Sequence, residues 1–422
     1  MDKIVLFGPG PMFKGGIANY NTSLAKAFDK EGIAEVHIVS WTQQYPAIIP
    51  RDFIDRKSKT DLLDGTNIKV HYITNYNNPS TWNDTYKLIK EINPKIIVFQ
   101  WSIAVQGIPL GNIVRKIKKN TNVEVLFDLH FVIQKEGSNL DKMFTKYGIS
   151  KADKFVVHSL KTAEELKKLF PSQNFNITAQ NSNLKKTSQK DVIKLYHPVY
   201  DMFKPDESFD IKAQKESLHL NKYVFLFFGF IRKYKGLHNV IPAFAKLAEK
   251  RDDVSLLIVG ESFWQTLDKD KFSTKIKEVV FGLAKKIFLK KSDDERNYNP
   301  LTLIEQLNIK DKTVVINDFV PNEDVNKYFQ VSDAIILFYE TATPSGVESI
   351  SYNFKLPILA TSVGHFPETV KDGYNGYLAN PNSIEEMAEA MNKQINNPID
   401  KTHIEETTKE MSWANYAKAI WY

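Results

Sequence analysis

Short apolar runs alternate with helix-like stretches along almost the whole chain of 422 residues. In the first half, strands are predicted at residues 4–7, 35–39, 68–73, 95–99, 124–127 and 154–157. In the second half, strands are predicted at residues 224–228, 255–259, 313–316, 334–338 and 358–360. Strands that alternate with helices are joined by right-handed crossovers into a parallel sheet. The pattern therefore predicts an α/β fold with two doubly wound, Rossmann-like parallel sheets.

The chain is long for a single hydrophobic core, so two domains are expected. The sequence is polar and irregular at residues 174–191 and again at 203–222, and the domain junction is predicted in this region. We expect a first domain at residues 1–200 and a second at 201–404, with a basic helical insertion at about 265–300. A C-terminal helix at residues 405–422 is expected to pack back on the first domain.

The composition excludes several kinds of site. The chain has no cysteine, which rules out disulfides, thiolate metal sites and cysteine nucleophiles. No apolar run is long enough to span a bilayer, and the N-terminus lacks the long apolar core of a signal peptide. A net charge of +6 suits an anionic ligand or membrane surface without requiring either. A cytoplasmic protein is expected, and no nucleic acid partner.

The stretch at residues 333–368 predicts an anion site. An apolar strand is followed by a loop of small residues, which leads into a helix that starts near Ser345, Gly346 and Val347. The first N–H groups of a helix lack partners and carry partial positive charge, so a phosphate can bind there. Thr343 precedes this helix start in the same loop. Glu340 and Glu348 flank the loop, with seven residues between them.

Two basic residues follow the first strand of the second half. Arg232 and Lys235 stand three apart beside Gly229, at the carboxyl end of the predicted strand. A guanidinium fork and an ammonium point charge at such a place can clamp a diphosphate. The pair also fits a solvated basic turn. The helix start near Gly346, expected at the same sheet edge, favours the clamp.

Three further features predict contacts with a ligand or a membrane. Gly15 and Gly16 precede the first helix and would let the backbone approach a phosphate or a sugar, although a glycine pair often only makes a turn. His130 follows a strand end and can hydrogen-bond a sugar hydroxyl, or it can be structural. Residues 274–291 combine apolar and basic positions at helical spacing. This segment suits either contact with an anionic membrane or an ordinary surface helix.

Together these residues resemble the retaining glycosyltransferases of family 4, which have the GT-B fold of two facing Rossmann-like domains. The resemblance covers nearly the whole chain. It is carried by Gly15-Gly16, the His130 loop, Val156 to Ser159, His197-Pro198-Val199, Gly229 to Gly236, Ile258 to Glu261, Asp318 to Pro321, Ser332-Asp333, Leu356-Pro357 and Gly364 to Glu368.

The chain departs from this family at two glutamates. The family has two glutamates with seven residues between them, the first near the donor sugar and the second on the nucleotide ribose. Counting back from Pro357 places Ala342 and Ile350 at those positions, whereas Glu340 and Glu348 are shifted by two residues. A branch of the family has Ala-Thr-Gln-Ser-Gly-Val in this loop, and Ala342 to Val347 is similar to it.

The resemblance implies a metal-independent retaining hexosyltransferase without a cofactor. It would move a sugar from a nucleoside diphosphate sugar, of UDP or GDP type, to a glycan, lipid-linked or protein acceptor in the synthesis of surface polysaccharide or glycoconjugates. Peripheral contact with the inner face of the membrane is implied as an option. The alternative is a catalytically silent GT-B protein that binds or stabilises a partner transferase.

The resemblance also implies roles for the residues already named. Arg232, Lys235 and the amides near Ser345, Gly346 and Val347 would stabilise the departing diphosphate. The backbone near Phe319 and Val320 would meet the base, with Gly15, Gly16, Thr343 and Glu348 as further donor contacts. His130 and Glu340 would act on the donor sugar.

Overall fold

Two parallel β-sheets, one in each half of the chain, form the framework of the protein. The computed structural model describes residues 1–47, 53–132, 139–179, 190–262, 298–344 and 346–422. Within these residues every strand predicted from the sequence is present. The insertion predicted at 265–300 falls almost entirely on residues 263–297, outside the described ranges.

The first sheet has the strand order β3-β2-β1-β4-β5-β6-β8-β7 in the described residues, and neighbouring strands are parallel. Its strands are β1 (Lys3–Phe7), β2 (Glu35–Gln43), β3 (Lys69–Asn75), β4 (Ile96–Trp101), β5 (Glu124–Leu129), β6 (Lys154–Val157), β7 (Phe175–Ala179) and β8 (Lys190–Lys194). The helices along this sheet are α1 (Gly16–Lys30), α2 (Pro79–Ile92), α3 (Gly107–Asn120), α4 (Asn139–Ile149) and α5 (Leu160–Leu169).

The second sheet has the order β11-β10-β9-β12-β13-β14 and is also parallel. Its strands are β9 (Tyr223–Phe228), β10 (Val254–Val259), β11 (Thr313–Ile316), β12 (Ala334–Leu337), β13 (Ile358–Thr361) and β14 (Gly376–Ala379). The helices are α6 (Ile211–Ser217), α7 (Leu237–Ala248), α8 (Thr302–Gln306), α9 (Val325–Gln330), α10 (Gly346–Asn353), α11 (Phe366–Thr369), α12 (Ile384–Asn396), α13 (Lys401–Thr408) and α14 (Trp413–Trp421).

The central strands are buried on both faces because helices cover both sides of each sheet, whereas the edge strands β3 and β11 are only partly buried. Strand β4 is apolar or aromatic at most positions, and all six of its residues are buried. Such continuous burial is typical of parallel sheets, in contrast to the alternation seen in half-exposed antiparallel ones. One hydrophobic core runs from the α1 face of the first sheet through Tyr200 and Phe203 into the second domain.

The C-terminal segment crosses back to the first domain as helix α14. The structure divides the helix predicted at 405–422, because α13 ends at Thr408 and the Ser412 side chain accepts a hydrogen bond from the Asn415 N–H to start a new helix. The Tyr416 hydroxyl donates to Asp128 Oδ2 at 2.9 Å, and Lys418 Nζ lies 2.8 Å from Glu31 Oε2. The last helix thus attaches the C-terminal segment to β5 and to the end of α1 in the first domain.

None of the helices in the described residues is long and apolar enough to cross a membrane.

Candidate active site

A cavity of about 260 Å³ lies between the two domains, where the carboxyl ends of both sheets meet. From the first domain it is lined by Phe13, Gly15, Gly16, Asn19 and Asp55. From the second domain and the junction it is lined by Tyr200, Phe203, Phe228, Gly229, Phe230, Tyr234, Lys235, Gly260, Glu261, Asp318, Phe319, Val320, Asn322, Val325, Tyr339, Thr343, Gly346, Val347 and Ile350. Clefts at this edge of doubly wound sheets are where such folds bind ligands.

Lys235 places a buried cation in the wall of the cavity. The residue is 7% exposed and ends a short 3₁₀ turn, Lys233–Lys235, that follows β9. Its Nζ packs so close to the backbone of Gly229 that a methyl group at that glycine would lie 2.8 Å away. Burial, and then the positive charge of Arg232, lower the pKa of Lys235 to about 7. An anion beside Nζ would offset both effects and restore the proton.

Helix α10 begins at the same wall. Gly346 and Val347, its first two residues, line the cavity together with Thr343 of the preceding loop. A methyl group at Gly346 would come 2.7 Å from the Tyr200 ring, so the backbone here packs closely against the junction. The N–H groups of a first helical turn have no intrahelical acceptor and carry partial positive charge. Lys235 and the start of α10 therefore meet at one cavity, as the sequence predicts, while Ser345 lies outside the described residues.

Arg232 lies next to this wall without lining the cavity. Its guanidinium carbon is 5.6 Å from the centre of the Tyr234 ring. Its charge reaches Lys235, because it helps to lower the pKa of that amine. The predicted clamp is thus one lining cation with a second positive charge nearby.

The two first-domain glycines close the cavity from the opposite side. Gly15 has φ +101°, which only glycine adopts without strain, and it is the residue from which α1 starts. The carbonyl of Gly16 accepts a hydrogen bond of 2.8 Å from the Tyr200 hydroxyl. Both glycines line the cavity, so the backbone can approach a ligand here.

Phe319 and Val320 line the cavity beyond β11, where the first domain also reaches across. Lys14 Nζ lies 5.0 Å from the centre of the Phe319 ring. Lys57 Nζ donates to both carboxylate oxygens of Asp318, at 2.8 and 2.7 Å. The hydrogen bonds with Lys57 and with the Phe319 N–H hold the pKa of Asp318 below its ordinary value. This end of the cavity is thus bridged by one ion pair and one cation–π contact between the domains.

His130 is buried behind the cavity and is not part of its lining. Its Nε2 lies 2.8 Å from Gln100 Oε1, and its ring packs edge-on against Tyr20 and stacks on His158. Burial lowers the pKa of His130 to about 4, so the imidazole is neutral at pH 7. Contact with the donor sugar stays a prediction for this residue.

His130 belongs to a buried group of potential metal ligands. Ligand atoms of Asp128, His130 and His158 lie within 4.8 Å of one another, the one such group in the described parts of the chain. His158 Nε2 and Asp128 Oδ1 are 2.9 Å apart and already satisfy each other. Burial raises the pKa of Asp128, but the neighbouring His158 and His130 bring it below its ordinary value. That the protein works without a metal ion stays a prediction.

The two displaced glutamates lie outside the cavity. Glu340 is partly exposed, and its Oε1 is 3.1 Å from His238 Nε2. Glu348, the third residue of α10, is buried and hydrogen-bonds His365 Nε2. Ile350, which counting back from Pro357 places at the ribose position, does line the cavity. Catalytic or donor-binding roles for the two glutamates stay predictions.

Sequence reasoning did not single out the aromatic lining. Besides Phe319, seven rings contribute to the cavity wall, those of Phe13, Tyr200, Phe203, Phe228, Phe230, Tyr234 and Tyr339. Phe228, Phe230 and Tyr339 stand at the end of a strand or within two residues of it, which is the signal that could have found them. Glu261, Asp318 and Asn322 also line it, and the first two appeared only within longer motifs.

The second domain matches the family model described as glycosyl transferases group 1, over residues 208–411. The match covers 204 of the 422 residues, just under half of the chain. Spore coat protein SA of Bacillus subtilis (strain 168) is 26% identical to the chain over 188 residues. That match covers 44% of this chain and 42% of the relative, so it spans less than half of either protein.

Solved structures match the chain along its whole length. HepE of Anabaena in complex with UDP-glucose has a TM-score of 0.62 at 16% identity, covering 100% of this chain and 94% of that one. A glycosyltransferase from Rickettsia africae ESF-5 has a TM-score of 0.63 at 17% identity, covering 99% and 96%. Sucrose-phosphate synthase from Thermosynechococcus elongatus gives 0.63 at 15%, covering 100% and 97%. These likenesses confirm the GT-B fold, and the match of residues 208–411 to the glycosyl transferases group 1 model supports a glycosyltransferase.

Proposed function

We propose that this protein is a metal-independent, retaining glycosyltransferase that uses a nucleoside diphosphate sugar as donor. The acceptor would be a glycan, a lipid-linked molecule or a protein, in the synthesis of surface polysaccharide or glycoconjugates. The observation that carries the proposal is the meeting of buried Lys235 with the start of α10 at one interdomain cavity. Both features attract an anion, and neither is explained by packing alone.

The chemistry requires charge stabilisation at the leaving group. When the bond between the sugar C1 and the diphosphate oxygen breaks, its electron pair stays with the diphosphate. The ammonium of Lys235 and the N–H groups of Gly346 and Val347 would stabilise that charge in a partly enclosed site, where such interactions are strong. Arg232 adds positive charge from just behind the lining. In this arrangement the protein supplies the countercharge for which other enzymes use a metal ion.

The first domain would supply the acceptor to the same cavity. The sugar would lie between the diphosphate and the wall made by Gly15, Gly16 and Asn19. In a retaining transfer the acceptor hydroxyl approaches the face that the diphosphate leaves. Its oxygen forms the new bond to C1, and its proton passes to the departing phosphate oxygen on that face. His130 and Glu340 are proposed to act on the sugar during this step.

The nucleotide is proposed to be of UDP or GDP type, with its base against the backbone of Phe319 and Val320. The structure of HepE with UDP-glucose supports a nucleotide sugar of this kind, because that protein shares the fold. A cytoplasmic location fits a donor of this class. Peripheral contact through residues 274–291 with an anionic membrane would bring a lipid-linked acceptor within reach.

Calorimetric titration in the presence of a chelator tests this proposal. UDP and GDP are titrated separately, with uridine and guanosine as controls that lack the phosphates. At least one diphosphate should bind in chelator, and its nucleoside should bind far more weakly. Binding that vanishes in chelator and returns with magnesium would show that a metal, rather than Lys235 and α10, supplies the countercharge.

A further inference from the structure

Glu348 lies in the helix that begins at the proposed diphosphate site, yet its side chain does not line the interdomain cavity. It is the third residue of α10, whose first two residues, Gly346 and Val347, do line that cavity. Glu348 is 4% exposed and belongs to the wall of a second cavity of about 10 Å³, which it shares with His365. Such a volume holds about one water molecule. The carboxylate is therefore placed to act on the helix rather than on the donor.

A supporting loop, residues 361–365, connects β13 to α11 and packs against the segment that leads into α10. The Thr361 hydroxyl donates to the Tyr339 carbonyl oxygen at 2.5 Å. Gly364 has φ +60°, and a methyl group there would lie 2.1 Å from the Ala342 carbonyl oxygen. The backbone before α10 is thus held at two points by the supporting loop.

His365 extends this support to the first turn of α10. Its Nε2 is hydrogen-bonded to Glu348 Oε2, and the residue is 1% exposed. The N–H groups of a first helical turn make no hydrogen bond within the helix, so contacts from outside help to decide where they point. Gly346 and Val347 come immediately before Glu348, and their N–H groups are the ones proposed to bind the diphosphate. A side-chain hydrogen bond at Glu348 therefore holds the turn that carries them.

Packing alone does not account for a polar pair at this place. Two apolar side chains of similar shape could fill the same buried space, often with equal or greater stability. A hydrogen bond adds a preferred direction, which apolar contacts do not provide. A site that binds its ligand through preformed N–H groups depends on such a direction. The pair of Glu348 and His365 is thus explained by the orientation of the helix start.

We propose that His365 is a positioning residue for the diphosphate site. Through its hydrogen bond to Glu348 it fixes the first turn of α10, so that the N–H groups of Gly346 and Val347 point at the phosphates. The inference rests on the proposed function, since it concerns the same diphosphate. It gives Glu348 a role in donor binding without contact between its carboxylate and the donor.

Calorimetry in chelator tests this role, with UDP and uridine, or with GDP and guanosine if GDP binds better. His365→Leu keeps the buried volume but lacks the donor. It should weaken binding of the diphosphate about tenfold, the lower end of the effect typical of residues that orient a ligand-binding group. The affinity for the nucleoside should not change, because the hydrogen bond holds only the phosphate-binding turn. His365→Gln places an amide N–H near the position of Nε2 and should restore most of the lost affinity.

Glu348→Ala removes the same hydrogen bond from its other side and should show the same selective loss. In the Glu348→Ala background, His365→Leu should have no further effect on the diphosphate affinity, because the two residues act as one unit. Tyr352→Phe is the matched control, since the Tyr352 hydroxyl joins the far end of α10 to α11 by donating to the Thr369 carbonyl oxygen at 3.0 Å. It should lower the melting temperature and leave the diphosphate affinity unchanged. Thermal unfolding should confirm that each variant is folded.

The outcomes separate this inference from the proposed function. If the parent binds a diphosphate and His365→Leu binds it equally well, His365 has no positioning role and the donor site stands. An equal loss for the diphosphate and the nucleoside would show a general loosening of the domain and would also overturn the inference. So would a loss that His365→Gln does not restore, because it would assign the effect to the shape of the ring. A parent that binds no nucleotide overturns both proposals.

Discussion

At the scale of single residues, Lys235 is the side chain that most clearly links burial to ligand binding. A buried amine is costly when charged, and here burial together with Arg232 lowers its pKa to about 7. Proteins keep such a buried amine at functional sites, because the opposite charge of a ligand compensates for the cost of burial. The free protein would therefore hold Lys235 partly neutral, and the diphosphate would make it fully charged.

Replacement of Lys235 should weaken diphosphate binding selectively. Lys235→Ala is expected to cost roughly 1.5–3 kcal/mol of binding free energy for UDP or GDP, the range for a hydrogen bond to a charged group. Lys233→Ala removes a cation from the same turn but not from the cavity lining, and it should change the affinity little. Calorimetry of both variants makes the comparison. Equal affinities for parent and Lys235→Ala would mean that Lys235 does not bind the diphosphate and has only a structural role.

The pH dependence of donor binding follows from the same amine. Because the pKa is about 7 in the free protein and higher when a diphosphate is bound, binding takes up a proton above pH 7. The affinity for UDP-glucose, whose diphosphate does not titrate in this range, should thus fall as pH rises above about 7, by up to about tenfold per pH unit. Lys235→Arg should flatten this profile, because arginine stays charged. A parent profile that is flat between pH 7 and 9 would contradict the assignment.

Some residues of the cavity lining could be predicted from the sequence, because the course of the backbone alone places them there. Gly15, Gly16, Gly346 and Val347 follow strand ends or start helices, and those positions can be read from the pattern of apolar runs. The positions of His130 and Glu340 could not be predicted in the same way. Each follows a strand, but its side chain is directed by a distant residue. The His130 side chain is directed by its contact with Gln100, and the Glu340 side chain by its contact with His238. Such contacts join residues 30 and 102 positions apart in the chain.

At the scale of elements, the turn from β9 into α7 sets the place of Lys235. Gly236 ends this turn with φ +68°, and a methyl group there would lie 2.0 Å from the carbonyl oxygen of Phe338. The turn is therefore packed directly against the end of β12. Its geometry depends on the absence of a side chain at this glycine.

Gly236→Ala should destabilise the second domain more than an ordinary glycine substitution. Positive φ costs about 1–2 kcal/mol for alanine, and the contact with Phe338 would add roughly 1–3 kcal/mol. Gly373→Ala is the matched control, because Gly373 has φ +73° with no atom within 4 Å of an added methyl group. Urea unfolding should show the larger loss for Gly236→Ala. Equal losses would mean that the backbone moves aside freely.

The elements that were missed are short or polar. Strands β7 and β8 fall at the edges of the stretch that looks irregular from 174 to 191, and each has only five residues, in which polar side chains interrupt the apolar ones. Strand β14 has four residues and begins with glycine, which has low strand propensity. Pairing with neighbours in the sheet stabilises these segments, and that pairing is not visible in local sequence. The strongly apolar strands, such as β1 and β12, were predicted correctly.

At the scale of the whole molecule, the chain is held together by contacts between its distant parts. Asp128, at the end of β5, accepts from Tyr416 in the last helix, 288 positions away, and from His158. Asp128 is fully buried, so each of its hydrogen bonds compensates for lost hydration. The last helix is thus part of the first domain's core.

Tyr416→Phe should therefore destabilise the protein although it keeps the ring. The loss of a donor to a buried carboxylate is expected to cost about 1.5–3 kcal/mol of unfolding free energy. Tyr422→Phe, at a residue that is 81% exposed, removes the same group from the surface and should change stability by less than about 0.5 kcal/mol. Urea unfolding of both variants measures the difference. A loss no greater than that of the control would mean that water or another donor replaces Tyr416.

The contacts across the cleft are of a different kind. Lys57 and Asp318 are about half exposed in the pair that bridges the domains. Exposed ion pairs contribute only about 0–1 kcal/mol, so this bridge can open at little cost. A ligand can therefore enter at this end of the cleft without disrupting buried hydrophobic contacts.

The most direct test of the central claim is the release of nucleoside diphosphate from UDP- and GDP-sugars in the presence of a chelator. The slow hydrolysis of a donor needs no knowledge of the acceptor. The account predicts that at least one of these donors is hydrolysed without metal, and that Lys235→Ala lowers the rate by about tenfold or more while Lys233→Ala does not. A donor that binds but is never turned over would contradict the transferase and favour a silent binding protein. Turnover that requires added magnesium would contradict the electrostatic role of Lys235.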